Sequence, residues 1–450
     1  MDYDLIIRSA TVLTPEGERE LDVGVGDGEI AALASQLGGS AREELDAHGL
    51  HVLPGGIDAH VHCDEPGRTE WEGFATATAA LATGGMTAFA DMPLNSTPAT
   101  VDVEAFERKV LAAAASSRLD FALWGGLVPG NLDELEGMHE RGAIGFKAFM
   151  SETGMADFRP ADDATLLEGM RRAAALDALV AVHAENDALV SAGRARAEAA
   201  GQRNAHSYLG SRPPVVELEA IGRAITFAAD TGCRLHIVHV STAEGIALVQ
   251  RARAEGVDVS WETATHFLAL TEDDVVRLGT VAKCAPVMRD EANRQRLWEL
   301  VGGDERAIVA SDHSPCPPEL KQTEDFYAAW GGINGCQSTL NVLLEGVGSG
   351  RLGLAAASAA VSANVATRLR LRRKGTIAVG QDADLSVVDL EQTWTLGADE
   401  LCYRHRMSAL VGRPMRGAVR RVLARGHTVI ADGQLVEGVR GTLLRPRADA

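Results

Sequence analysis

Two histidines two residues apart, His60 and His62, close a short apolar run that begins at Gly56. Side chains two apart on a strand share a face, so both imidazoles point the same way at the run's C-terminal end. Neutral imidazoles so placed can grip one divalent cation. Lys147, His183, His239 and Asp312 follow, each on or at the end of its own strand-like run. Taken singly, none of these is informative. A lone histidine near a strand end is most often a hydrogen-bonded structural residue, and that default covers His51, His139, His206, His236, His266, His405 and His427. Alone, Lys147 would be an exposed or ion-paired lysine, and Asp312 a helix cap. Jointly, the histidines and the carboxylate suit zinc or a similar metal, with cobalt, manganese and iron left open.

Lys147 is the odd member, because an ammonium aimed at cations is repelled. The conflict disappears if burial strips its proton and the neutral amine adds carbon dioxide. The resulting N6-carboxylysine is an anion with two oxygens, able to bridge two divalent metals. A metal pair roughly 3.5–4 Å apart can share a hydroxide and clamp a carbonyl under attack.

Residues so scattered need a scaffold that gathers strand ends. Eight strand-like runs are legible: Gly56–His62, Met86–Met92, Asp120–Gly125, Ile144–Phe149, Leu179–His183, Arg234–Val240, Asp258–Glu262 and Ala307–Ser311. Ala-rich helical runs lie between them at Trp71–Ala82, Val103–Ser116, Ala164–Leu176, Val216–Asp230 and Ala243–Ala254. This α/β alternation predicts a parallel (β/α)8 barrel over residues 53–374, with its chemistry at the C-terminal ends of the strands. Residues 1–52 and 375–450 instead alternate apolar and polar with turn signals such as Gly26-Asp27-Gly28. They predict hairpins and one small β-sandwich built from both termini.

The chain has 450 residues, is 46% hydrophobic and carries a formal net charge of −20. It has no basic stripe, which argues against nucleic acid and anionic membrane partners. No apolar run approaches the roughly 18 residues of a membrane span. The first residues lack the pattern of a secretory signal. Six scattered cysteines form no CxxC pair, so a reduced, cytoplasmic setting is expected.

The ordered set His60-Val61-His62, Gly145-Phe146-Lys147-Ala148-Phe149, Val182-His183-Ala184-Glu185-Asn186, His239-Val240-Ser241-Thr242 and Ser311-Asp312-His313-Ser314-Pro315 resembles the cyclic amidohydrolases. That family includes hydantoinases, dihydroorotases and allantoinases, and the resemblance covers nearly the whole chain. It implies a distorted TIM barrel holding two divalent metals bridged by a carboxylated lysine. His60, His62 and Asp312 would hold the more buried metal, His183 and His239 the other, and Lys147 the bridge. It also implies a homotetramer.

Within the family the stretches Glu65–Gly73, Asp91–Asn95, Ser311–Pro318 and Ala329–Ile333 are most similar to the allantoinases. The implied reaction is hydrolysis of the hydantoin-ring amide of allantoin to allantoate, with Asp312 moving the proton. Hydantoinase or dihydropyrimidinase activity is the alternative, then dihydroorotase; a non-catalytic scaffold of the same fold is the reading from another class. Dihydroorotases carry an arginine where this chain has Asp64, so a carboxylated ring lacks its counter-ion. Hydantoinases carry a tyrosine where it has Glu152, a departure that the sequence leaves unexplained. Asn95 can donate and accept toward a ureido edge, and Ser314 follows Asp312 toward the same mouth; a turn and a loop cap are their respective alternatives. Trp330 is read either as a pocket wall or as lid packing. Glu65 and Arg68 are read as an ion pair or as substrate contacts.

Overall fold

The structure is a computed structural model that describes residues 3–446. Among these, eight parallel strands form the barrel: Gly56–Val61, Met86–Asp91, a broken third strand (Asp120–Leu123 and Gly125–Gly126), Phe146–Phe149, Leu179–His183, Arg234–Ile237, Val259–Ala264 and Ile308–Ala310. All eight fall on the runs read from sequence, mostly shortened by one to three residues at an end. At the mouth, the first and sixth strands leave the ladder before His62 and His239, while the seventh runs two residues further than read.

These strands are buried on both faces, so they show no polar alternation. Alternate residues instead differ in size. Ala88, Ala90, Ala122, Trp124, Ala181 and Ala310 belong to one core cluster, while Phe89, Phe121, Val180, Val182 and Val309 belong to the cluster that includes the surrounding helices. Apart from Trp124, which fills the interior at the third strand, the small residues leave room inside and the large ones pack the helices.

The barrel is distorted, as the chain's resemblance implies. Its ladder divides at Trp124: Asp120–Leu123 pairs with the second strand, and Gly125–Gly126 with the fourth. First and eighth strands meet through side chains as well as backbone. Asp58 Oδ1 accepts from Ser311 N at 3.1 Å, Ser311 Oγ donates to the His60 carbonyl at 3.2 Å, and His62 N donates to the His313 carbonyl at 2.8 Å. This seam fixes the histidine pair against Asp312.

Several helices begin where side chains cap them. Asp102, Asp162 and Thr242 accept from the backbone N–H groups of Ala105, Thr165 and Gly245 respectively. Each such cap contributes about 1 kcal/mol. Helices at Asp187–Ala199, Glu291–Gly303 and Thr339–Gly348 lie beyond those read from sequence. The first two bury few side chains, which leaves little period to read.

Strands from both ends of the chain join in one nine-stranded sheet. Strand His51–Pro54 stands between Tyr3–Thr14 and Leu385–Thr395, so N- and C-terminal segments are hydrogen-bonded neighbours. A bridge between Glu29 and Asp382 brings the sheet's third strand back to the C-terminal half. Leu5, Val23 and Ile30 thereby share an apolar core with Leu385 and Leu423. Residues near the end return to the barrel, where Leu443 bridges Phe121. No helix among the described residues is long and apolar enough to cross a membrane.

Candidate functional site

His60, His62, His183, His239 and Asp312 line one cavity of about 110 Å³ at the mouth of the barrel, together with Asn95 and Ser314. Lys147 is fully buried and is not among the lining residues. His60, His62 and Asp312 form a compact group whose ligand atoms all lie within 4.8 Å of one another. Asp312 Oδ1 stands 3.3 Å from His60 Nε2 and 3.7 Å from His62 Nε2. A second pair faces it. His183 Nδ1 lies 3.0 Å from His239 Nε2, and the His239 ring is 5.3 Å from that of His60.

Backbone conformation aims these groups. His239 has φ 39° and Asp312 φ 46°, and Asn95, on the same wall, has φ 72°. The left-handed region is unfavourable for such residues, at about 1–3 kcal/mol each, and concentrates at functional sites. His239 lies two residues past its strand, which ends at Ile237. The turn redirects an imidazole that a continued strand would send elsewhere.

Charged neighbours fix the histidine tautomers. His60 Nδ1 is 2.6 Å from Glu262 Oε1, and His183 Nε2 is 2.9 Å from Glu185 Oε2. Each carboxylate takes a ring N–H, leaving His60 Nε2 and His183 Nδ1 bare toward the cavity. Glu262 also contacts His236 Nε2 at 3.1 Å, and His236 Nδ1 meets Ser260 Oγ at 2.7 Å. Glu185 is held by Arg212 as well, whose guanidinium lies over the Tyr208 ring. Phe149 stacks on His183, with ring centroids 4.4 Å apart and planes within 12°.

Burial lowers the pKa of His60, His183 and His239, so their imidazoles stay neutral and available as ligands. Burial would raise Asp312, whereas any proton carried by His60 or His62 beside it lowers it, and the balance lies below the usual carboxylate value. Burial lowers Lys147 to about 7, against the opposing pull of Glu262 and Asp312. Its Nζ has no hydrogen-bond partner among the described residues. A buried amine without a partner is costly, and it is the arrangement a lysine needs before it can add carbon dioxide.

The residues therefore fit a divalent cation between His60, His62 and Asp312. The His183–His239 pair offers only two donors. A second cation there would need further donors than these two imidazoles.

Asn95 Nδ2 approaches Ser314 Oγ at 3.5 Å, and both side chains are buried. Gly332 permits this wall: a Cβ there would stand 2.3 Å from the Ser314 carbonyl oxygen. Trp330 both lines the cavity and packs, donating to the Ser314 carbonyl at 3.2 Å and meeting Trp71 edge-on at 4.9 Å. Glu65 does not pair with Arg68. It accepts from Phe74 N at 2.8 Å at a helix start, while Arg68 lies 4.7 Å above the Trp71 ring. The helix terminus and the indole face take up these two charges instead.

Sequence reasoning missed Glu262, Glu185 with Arg212, and Phe149. Glu262 and Glu185 carried a signal, since a carboxylate within a buried run needs a partner. Arg212 carried none, because it reaches Glu185 from a separate loop.

The amidohydrolase family model matches residues 51–429. The chain is 52% identical to an allantoinase of Rubrobacter xylanophilus, over 99% of this chain and 98% of that one. It is 46% identical to an allantoinase of Deinococcus radiodurans, over the full length of both. Among solved structures, L-hydantoinase (dihydropyrimidinase) from Arthrobacter aurescens superposes with a TM-score of 0.96 at 33% identity, covering 98% of this chain and 100% of that one. Dihydropyrimidinase from Brevibacillus agri gives 0.90 at 30% identity, covering 98% and 99%.

Proposed function

The chain belongs to the amidohydrolase family, and we propose that it hydrolyses the cyclic amide of the allantoin hydantoin ring to give allantoate. The observation that carries this reading is one cavity in which the cation-binding donors meet the amide-matching pair Asn95 and Ser314, in a chain so similar to named allantoinases. The cavity also contains Arg212, but Glu185 already neutralises it. A carboxylated ring therefore finds no spare cation among these side chains, which favours a neutral substrate.

His60, His62 and Asp312 would hold the more buried cation, His183 and His239 the second, and carboxylated Lys147 would join them. When bound, the cations supply polarisation of the ring carbonyl and acidify water toward neutrality. Asp312 is the proton carrier of this proposal. Held as a carboxylate at neutral pH, it takes the proton of the attacking water and passes it to the ring nitrogen as the C–N bond breaks. Asn95 orients the ring edge by offering both a donor and an acceptor. Zinc is the metal proposed, in a cytoplasmic homotetramer.

Steady-state kinetics on allantoin, hydantoin, dihydrouracil and dihydroorotate, with metal content measured on the same sample, test the reading. Allantoin should give the highest kcat/KM. Turnover of another ring with none of allantoin would replace it with that ring's activity.

A further inference from the structure

The cavity holds one charged side chain that neither the metals nor the proton transfer employs. Glu152 lines it, and its side chain is exposed. Its carboxylate has no protein partner among the described residues, whereas Glu185 in the same cavity is committed to His183 and Arg212. The Glu152 backbone is nonetheless fixed. Its N–H donates to Asp187 Oδ1 at 2.9 Å, tying the loop to the start of the next helix. Thr153 Oγ1 donates to the Phe158 carbonyl at 2.7 Å and accepts from Met155 N at 3.1 Å, closing the loop on itself. The loop is thus braced while the Glu152 carboxylate stays unpaired and open to a ligand's donors.

We propose that Glu152 determines specificity by accepting the N–H groups of a ureido arm on the ring substrate, an inference that rests on the allantoin reading above. A carboxylate is an acceptor only. A ureido group carries N–H donors on the two nitrogens of one carbonyl carbon, and these can lie parallel and match two carboxylate oxygens as other planar forked donors do. In the reading above the ring edge meets Asn95 and the ring amide the cation site, which leaves the arm for Glu152. An unsubstituted hydantoin has no arm to offer Glu152. The residue thus separates rings by what hangs from them and leaves the hydrolytic machinery untouched.

The test is steady-state kinetics of Glu152→Gln, Glu152→Ala and Glu152→Asp on allantoin and on hydantoin, with metal content measured for each protein. For Gln, which turns an amide N–H₂ toward the arm's donors, and for Ala, KM for allantoin should rise about ten- to a hundredfold while kcat changes by less than about threefold. Asp should restore part of the loss, and the change in kcat/KM on hydantoin should stay within about threefold. Unchanged KM for allantoin in both Gln and Ala would overturn the proposal, as would equal losses on the two rings, which mark a merely structural loop. If hydantoin is not turned over, the split on allantoin decides alone: a fall in kcat at constant KM contradicts the assignment. A wild-type enzyme inert toward allantoin would refute the functional reading itself, an outcome visible before any variant is made.

Discussion

Two buried lysines, one at each end of the barrel, have opposite surroundings. Lys374, toward the base, donates to Asp384 at 2.6 Å and Asp120 at 2.8 Å, and Asp382 lies 2.9 Å away. Burial would lower its pKa, but those three carboxylates raise it well above the usual lysine range. Lys147, beneath the mouth, is as deeply buried with no hydrogen-bond partner among the described residues, only the Phe149 ring 4.9 Å away, and burial lowers it to about 7. The contrast extends to their neighbourhoods. A groove of about 1000 Å³ at the base is rich in arginine, yet Arg234 and Arg368 share Asp258, Arg253 meets Asp304, and Arg370 meets Asp177. The mouth is far smaller and leaves Lys147 Nζ and His239 Nδ1 unsatisfied. Opening size says little about chemistry here. The base pairs its buried lysine with carboxylates and the mouth does not, the contrast expected between a part that holds shape and a part that binds.

Substituting each lysine should break the symmetry in opposite ways. Lys147→Ala removes the proposed bridge and should lower kcat/KM by about three orders of magnitude or more, on the order of 4 kcal/mol of barrier. The melting temperature of the metal-free variant should match or exceed that of the metal-free parent, because an unpaired buried amine has gone. Lys374→Met should do the reverse. It strands buried carboxylates and should cost about 3–5 kcal/mol of stability in denaturant titrations, with kcat nearly unchanged in the folded fraction. Equal stability losses for the two variants would erase the distinction.

Glu262→Gln probes the join between the two regimes, since that carboxylate lies within the barrel yet holds His60 and His236. Metal affinity measured by competition with a chelator should fall about 10–100-fold. Unchanged affinity would make Glu262 a packing residue only. The smallest effect is on pH. Lys147 is depressed, so its folded value lies below its unfolded one. Between about pH 7 and the ordinary lysine range the unfolded chain binds the extra proton, and this group makes metal-free protein more stable as pH rises. At a fixed concentration of dissolved carbon dioxide, recovery of activity from metal-free protein should increase several-fold between about pH 6 and pH 8 as the amine becomes neutral. A flat profile would separate Lys147 from the reconstitution step.

Much of the barrel is legible because its strands are short apolar runs separated by long Ala-rich helices, two patterns of different period. The ligand candidates are legible for a related reason: a histidine or lysine at the end of a buried strand conflicts with its surroundings. What escapes is whatever depends on distant loops. Arg212 reaches Glu185, and Asp120 reaches Lys374, only through the tertiary fold. The left-handed turns at His239 and Asp312 also escape, because neither residue is a glycine that would announce them. Glu152 is visible in the sequence as a departure from a related pattern, but its freedom from any partner is a property of the folded loop.

The central claim is that His60, His62, Lys147, His183, His239 and Asp312 surround a pair of cations, with Lys147 converted to an anion. Anomalous diffraction from crystals of enzyme active on allantoin tests it most directly. The account predicts two metal peaks within this set of side chains and density for a carboxyl group on Lys147 Nζ. A single peak beside an unmodified lysine, or metal bound away from these residues, would contradict it.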